Sequence, residues 1–171
     1  MPLAALRQKW RPMRANDLEA IMSIAENLHP DYPERLDIFA DKLAFCPLGC
    51  QVVEDGGTLL GYGFAHGWSL GLPPLLDTPL GYPPGPIDCL HLHDIALMAQ
   101  IRGLGLVDLY LDHLRPLAQS LGVAALSLIA VAGKDGYWRG KGFGDFSPPN
   151  AALRQRLASY GNAAVYLSRQ F

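Results

Sequence analysis

Apolar residues recur along the chain at two different spacings, and the switches between them outline a mixed α/β domain. After Asn16-Asp17, either of which can cap a helix, Leu18, Ile21, Ile24, Ala25 and Leu28 keep steps of three and four, one face of a helix. The prolines of HPDYP end it. ERLDIFADKLAF carries Leu36, Phe39 and Leu43 at the same steps and predicts a second short helix. Before both, QKWRPMR predicts a short first strand, held to an edge or a strand end by Pro12. CQVVED and TLLGYGFAHGW read as a hairpin joined at Gly56-Gly57, a pair that tolerates the positive φ of a two-residue turn. Gly61, Gly63 and Gly67 weaken the second of these strands unless something packs closely on its backbone.

DCLHLHDIALM predicts the next strand, AQIRGLG a tight turn, and LVDLYLDHLRPLAQSLG a helix. Val107, Leu111, Leu114, Ala118 and Leu121 step by four and three along it. Pro116 removes a helical hydrogen bond there and predicts a kink, and Gly122 a stop. VAALSLIAV is an unbroken apolar run expected of a buried strand, KDGYWRGKGF predicts a short helix ending at Gly142, and NAAVYLSRQF a closing strand. The order mixes hairpins with crossovers, so the sheet should be mixed, with helices on both faces.

Residues 69–88 (SLGLPPLLDTPLGYPPGPID) hold six prolines and no periodicity, but also Leu70, Leu72, Leu75, Leu76, Leu80 and Tyr82. A linker is seldom so apolar, so this segment reads as a packed lid beside a binding cleft, with a passive surface loop the alternative.

Length and composition narrow the class. At 171 residues the chain fits one domain, 1–171, able to bury roughly 70% of its unfolded surface without disulfides or a metal. Fourteen basic against 16 acidic residues leave a net charge of −2, which supplies no footprint for nucleic acid and no polybasic membrane patch. Cys46, Cys50 and Cys89 form no C-x-x-C pair and read as small buried hydrophobes in a reducing compartment. The opening MPLAALRQKWRPMR lacks the apolar core of a signal peptide, and no run reaches the ~18 apolar residues of a membrane span. A cytoplasmic location and no membrane partner are the expectations.

The candidate chemistry lies between Cys89 and Gly105. A strand running into a glycine turn at a helix N-terminus offers unpaired amides and partial positive charge to an anion. Glycine lets that backbone come close. Gln100-Ile101-Arg102-Gly103-Leu104-Gly105 has this form, and Arg102 adds a cation. Local physics alone leaves it open, since glycine turns before helices are common. No Gly-Lys-Ser/Thr follows, and the G-x-G-x-x-G of dinucleotide sites is absent. One strand turn upstream, His91 and His93 stand two apart and should share a face. Their ordinary pKa near 6.5 suits them to accept a proton at neutral pH. Structural imidazoles, bonded along the strand or to Asp94, are the alternative. Asp94 should face the opposite way unless a bulge redirects it. An H-x-H pair can also bind metal, but no third convergent ligand is evident and no metal is expected.

The Q-x-x-G-x-G motif after a strand ending in Ile-Ala-Leu resembles the acyl-CoA signature of the GNAT superfamily of N-acyltransferases. RPMRANDL, the glycine-turn hairpin and YWRGKGF are similar to other segments of that family, so the likeness spans most of the chain. It implies a single GNAT-like α/β domain with a mixed, mostly antiparallel sheet of six to seven strands. It also implies acetyl-CoA as co-substrate and direct transfer of its acyl group to a primary amine, with a small amine favoured over a protein. By position, the resemblance puts Leu97, Met98 and Ala99 on the cofactor arm and Arg102, Gly103, Leu104, Gly105 and Leu106 at its phosphates. HLHDIAL is similar to the same strand of arylalkylamine N-acetyltransferases, which implies His93 and His91 as proton acceptors. Many members carry a tyrosine near the sulfur where this chain has Trp138. Trp138 is then expected to pack on the cofactor, and Tyr137 is the candidate acid, with a water or an unassisted thiolate as the alternatives. That departure motivates the other reading, a non-catalytic acyl-CoA-binding sensor. Monomer and homodimer both remain open.

Overall fold

In the computed structural model, which describes Ala5, residues 10–147 and residues 150–171, the two spacings fold into helices around one twisted sheet. The strands are β1 (Trp10–Pro12), β2 (Gln51–Asp55), β3 (Thr58–Trp68), β4 (Cys89–Leu97), β5 (Ala125–Ala130), β6 (Gly144–Asp145) and β7 (Val165–Gln170), in spatial order β1-β2-β3-β4-β5-β7-β6. Among the described residues only the β4–β5 pair is parallel. Gln8 and Lys9 of the first expected strand lie outside the described residues.

Helices α1 (Leu18–Leu28) and α2 (Leu36–Phe45) cover one face. Leu18, Ile21, Ile24 and Phe39 pack there on Val52, Tyr62, Phe64 and Ala96. α3 (Leu106–His113) and α4 (Arg115–Leu121) cover the other, burying Tyr110, Leu111, Leu114 and Ala118 against Leu90, Leu92, Leu126 and Leu128. Two short helices, α5 (Asp135–Gly140) and α6 (Ala151–Leu157), follow β5 and β6.

Local details follow the side chains. Gly56 and Gly57 both have positive φ (57° and 82°), as the hairpin turn requires. Gly63 answers the question raised by its strand: a Cβ there would meet the Tyr110 ring at 2.5 to 2.9 Å. That ring is fully buried, stacks on Trp10, and donates its hydroxyl to the Gly49 carbonyl at 2.7 Å. Pro116 produces a break in place of a kink, since α3 stops and Pro116 sits in the first turn of α4.

Two expectations are corrected. Asp17 occupies the α1 cap position, but its carboxylate accepts from the Arg11 guanidinium (2.8 and 2.9 Å) and the Arg14 amide (2.7 Å), not from the helix. In α2 the buried face is Ile38, Phe39 and Lys42, with Leu36 42% exposed. An ionic partner waiting inside, described below, is what turns the lysine inward.

Residues 69–88 form no helix or strand and are strapped down by polar contacts. Gly71 N–H donates to the Tyr166 hydroxyl, Leu76 N–H to the Ser159 hydroxyl and Leu80 N–H to Asp41. Tyr160 and Arg156 donate to the carbonyls of Pro74 and Pro73. No described helix is long and apolar enough to cross a membrane.

Candidate active site

The site originates in an irregularity of β4. Phe64 pairs with Asp94 and Ala65 with Leu92, so His93 is an extra residue without a partner on β3, a β-bulge. The parallel pairing with β5 runs from Cys89–Ala125 to Leu92–Leu128 and ends at the same level. β5 continues beside β7 to Ala130, while β4 continues beside β3 to Leu97. The two central strands therefore part, and a cleft of about 690 Å³ opens between residues 92–97 on one side and Leu128, Ile129, Val131 and Ala132 on the other.

One end of the cleft is the glycine turn. Gly103 and Gly105 have φ of 73° and 76°, conformations that L side chains resist, and Gly105 is the cap of α3. The first amide bonded back along the helix is Leu109 N–H, to the Gly105 carbonyl at 3.2 Å. The amides of Leu106, Val107 and Asp108 precede it and have no intrahelical acceptor. Arg102, Lys134 and Lys141 line this end, and Lys141 also bridges Asp108 at 2.7 Å. Arg102 is tied to the strand end by Nε donating to the Leu97 carbonyl at 2.9 Å. Of the residues expected around a cofactor, Leu97, Arg102, Gly103, Gly105, Leu106 and Trp138 line the cleft. Met98, Ala99 and Leu104 lie off its lining. Met98 packs toward α1 and gives its amide to the Leu60 carbonyl at 2.8 Å, while Ala99 and Leu104 are exposed.

The other end is built from imidazoles and carboxylates. The His93 side chain is 1% exposed, with Nε2 at 3.6 Å from Glu34 Oε1, too long for a hydrogen bond and an ion pair only when the ring is protonated. Its Nδ1 lies 3.3 Å from Nε2 of His66. His91 is buried behind the cleft wall, 2.9 Å from the Ser127 hydroxyl. The three rings stand 5.5 to 5.8 Å apart. Burial holds the pKa of all three imidazoles down, with the Lys42 charge adding to the effect at His93. Glu34 also bonds the buried Lys42 ammonium at 2.5 Å and accepts the Asp77 amide at 3.1 Å. Burial acts to raise the Glu34 pKa, but His93, once protonated, and Lys42 outweigh it and bring it to about 2.

The bulge turns Asp94 to the face carrying α1, against the alternation the sequence implies. It accepts the Tyr62 hydroxyl at 2.7 Å and faces His29 Nε2 at 3.3 Å, which raises the pKa of that histidine. With Asp31, Glu34 and Asp94 at this end and Arg102, Lys134 and Lys141 at the other, the cleft is acidic at one end and basic at the other. Tyr137 lines the cleft half-exposed, its pKa raised by burial, while Trp138 is buried between Tyr137 and Phe143. Sequence reasoning did not find Glu34, Lys42, His29, His66 or Tyr160 as parts of this region. Among the described residues, no group of three or more His, Cys, Asp or Glu side chains is arranged to hold a metal ion.

This architecture, a mostly antiparallel sheet whose two central parallel strands part over a glycine turn, is the fold of the GNAT superfamily. No protein-family model matches the chain, and no curated protein is similar to it in sequence. Solved structures are similar in fold. Ard1 from Thermoplasma volcanium superposes with a TM-score of 0.67 at 15% identity, over 94% of this chain and 95% of that one. N-acetylglutamate synthase from Neisseria gonorrhoeae, complexed with coenzyme A and N-acetyl-glutamate, gives 0.70 at 15% identity, over 94% of this chain but 34% of the longer enzyme. The Arabidopsis thaliana Naa50 structure, in complex with a bisubstrate analogue of coenzyme A and a peptide, gives 0.62 at 14% identity, covering 95% and 97%.

Proposed function

We propose that the chain is an acyl-CoA-dependent N-acyltransferase that moves an acetyl group from acetyl-CoA to a primary amine. The single observation that carries this is the parting of β4 and β5 at the His93 bulge. It opens one continuous cleft from the Gly103–Gly105 turn to the His93–Glu34 pair. The residues at the basic end suit a diphosphate. Three amides without helical acceptors, two glycines and three cations face a ligand there. Leu97 and Trp138 supply apolar walls for the arm that follows.

Acyl transfer to an amine needs no enzyme nucleophile. The amine nitrogen attacks the thioester carbonyl carbon, the C–N bond forms and the C–S bond breaks. The nitrogen has a pKa near 10 as a free ammonium and must give up a proton. His93 is the acceptor of that proton in our reading, and Glu34 beside it stabilises the imidazolium that results. His91 supports the wall behind it. Tyr137, which holds its proton, is the candidate donor to the departing sulfur. The acidic end draws in a cationic amine, and Leu76 of the strapped loop, with Tyr160, bounds the space there, which favours a small amine over a protein tail. Coenzyme A complexes among similar folds support the donor.

The competing reading is a non-catalytic acyl-CoA sensor, favoured by Trp138 standing where a tyrosine would serve the sulfur. One experiment separates the two. Calorimetry with coenzyme A should show binding, and acetyl-CoA with a panel of small amines and peptides should release free thiol. Binding without thiol release from any amine supports the sensor, and no heat of binding removes both readings. His93→Gln should lower thiol release by roughly 100-fold or more if His93 is the base.

A further inference from the structure

His66 Nδ1 lies 3.2 Å from the Gly67 carbonyl oxygen. A carbonyl only accepts, so His66 carries its proton on Nδ1, and its Nε2 is a bare lone pair. That lone pair faces His93 Nδ1 at 3.3 Å, so His93 must donate from Nδ1. His93 Nε2 is then the unprotonated nitrogen of the ring. It is buried, has no hydrogen-bond partner, and sits beside Glu34 in the cleft wall. A lone pair held 3.6 Å from a carboxylate oxygen is an unfavourable resting arrangement that one added proton converts into an ion pair.

We propose that His66 is a positioning residue that fixes the tautomer of His93, keeping Nε2 open to receive the proton released by the attacking amine. The inference rests on the acyltransferase reading of the cleft. The proton leaves the amine nitrogen, lands on His93 Nε2, and is held between His93 and Glu34, while the Nδ1 proton stays shared with His66. Every charged or titratable group around the His93 ring fits this assignment. Glu34 precedes α2, Lys42 lies on α2 and neutralises the resting carboxylate, and His66 lies on β3. His91 and Asp94 are on β4 itself, with His91 turned to Ser127 and Asp94 engaged by Tyr62 and His29. The buried ring of Trp68 and the partly exposed ring of Phe45 pack edge-on against His66 and fix its orientation.

Long-range ¹H–¹⁵N imidazole spectra of the ¹⁵N-labelled chain test this, with His93 assigned by its loss in His93→Gln. The expected spectrum at neutral pH is the Nδ1–H tautomer. An Nε2–H tautomer or an imidazolium would overturn the proposal. His66→Leu, which removes the acceptor at similar volume, should shift His93 toward Nε2–H and slow thiol release by about tenfold or more, leaving the KM for acetyl-CoA unchanged. His66→Gln, whose amide oxygen can accept the same proton, should retain the tautomer and much of the rate. A His66→Leu spectrum with His93 unchanged would overturn the assignment. Should that variant fail to fold, the spectrum of the unmodified chain decides. The tautomer is read without turnover, so failure to acylate any amine counts against the acyltransferase reading and the proton-accepting role, and leaves the control of the His93 tautomer by His66 to be decided by the spectra.

Discussion

Glu34 and Lys42 form a buried ion pair, and Glu34→Gln perturbs it with little change of shape. Their side chains are 5% and 1% exposed, and the lysine lies over the rings of Phe39 and Phe64. Glutamine has one acceptor oxygen where Glu34 uses one for Lys42 and the other for the Asp77 amide, so it keeps one of these two bonds, and it leaves a full ammonium charge in the core without a counter-ion. Removing one member of a buried ion pair costs about 3–5 kcal/mol. A second route gives a similar size. Lowering the Glu34 pKa from 4.5 to about 2, at about 1.36 kcal/mol per pH unit, corresponds to roughly 3 kcal/mol at neutral pH. That figure is an upper one, because part of the lowering requires a protonated His93. Against a total of about 5–15 kcal/mol, the loss should be plain in urea denaturation followed by circular dichroism. The sign with pH is definite. A depressed carboxylate pKa contributes stability that is fully present above about 4.5 and is lost as the pH falls toward 2, so the variant and the parent should converge across that window. Glu34→Gln combined with Lys42→Met should recover much of the loss by removing the stranded charge. A single variant within ~1 kcal/mol of the parent at neutral pH, or a double variant as weak as the two singles summed, would refute the reasoning.

Two further substitutions probe the frame around the cleft. Gly63→Ala drives a methyl group to 2.5–2.9 Å from the buried Tyr110 ring, and should cost about 1–3 kcal/mol and lower the melting temperature by roughly 3–10 °C. An unchanged melt would mean that the ring is not held there. Asp94→Asn removes the carboxylate that raises the His29 pKa, so an NMR titration should show that pKa falling toward its ordinary value near 6.5. The contribution of His29 to stability is present below 6.5 and lost as pH rises through its folded pKa, so the variant should lose stability chiefly on the acid side.

What the sequence made legible was whatever depends on neighbours along the chain. The helical stripe of α1, the Gly56-Gly57 turn, the interruption at Pro116 and the glycine turn ahead of α3 are local patterns with local causes, and each is found where the spacing put it. The glycines of β3 were legible as a question, and Tyr110, some fifty residues later, is the answer. The site was legible at one end only. Two glycines, an arginine and a helix start are contiguous, so the glycine-turn end could be picked out from the sequence. The acidic end could not be, because it is assembled from the segment between α1 and α2, from α2, and from β3 and β4.

The bulge at His93 shows why alternation failed there. A period of two places His91 and His93 on one face and Asp94 on the other, and nothing in HLHDIAL announces an extra residue. The inserted residue is revealed only by the pairing with β3, where Phe64 meets Asp94 and Ala65 meets Leu92. That single added residue turns Asp94 to the side of His93, ends the pairing with β5 and so creates the cleft. Lys42 was hidden for a related reason. A lysine on a short amphipathic helix reads as solvent-facing, and the burial of this one makes sense only once Glu34 is seen to occupy the core beside it. In both cases the deciding term is a long-range pairing that overrides a local preference, and both fall at the acidic end of the cleft. The result is a buried carboxylate, a buried ammonium and an imidazole nitrogen without a hydrogen-bond partner gathered from three separate segments of the chain, a neighbourhood that no local pattern encodes.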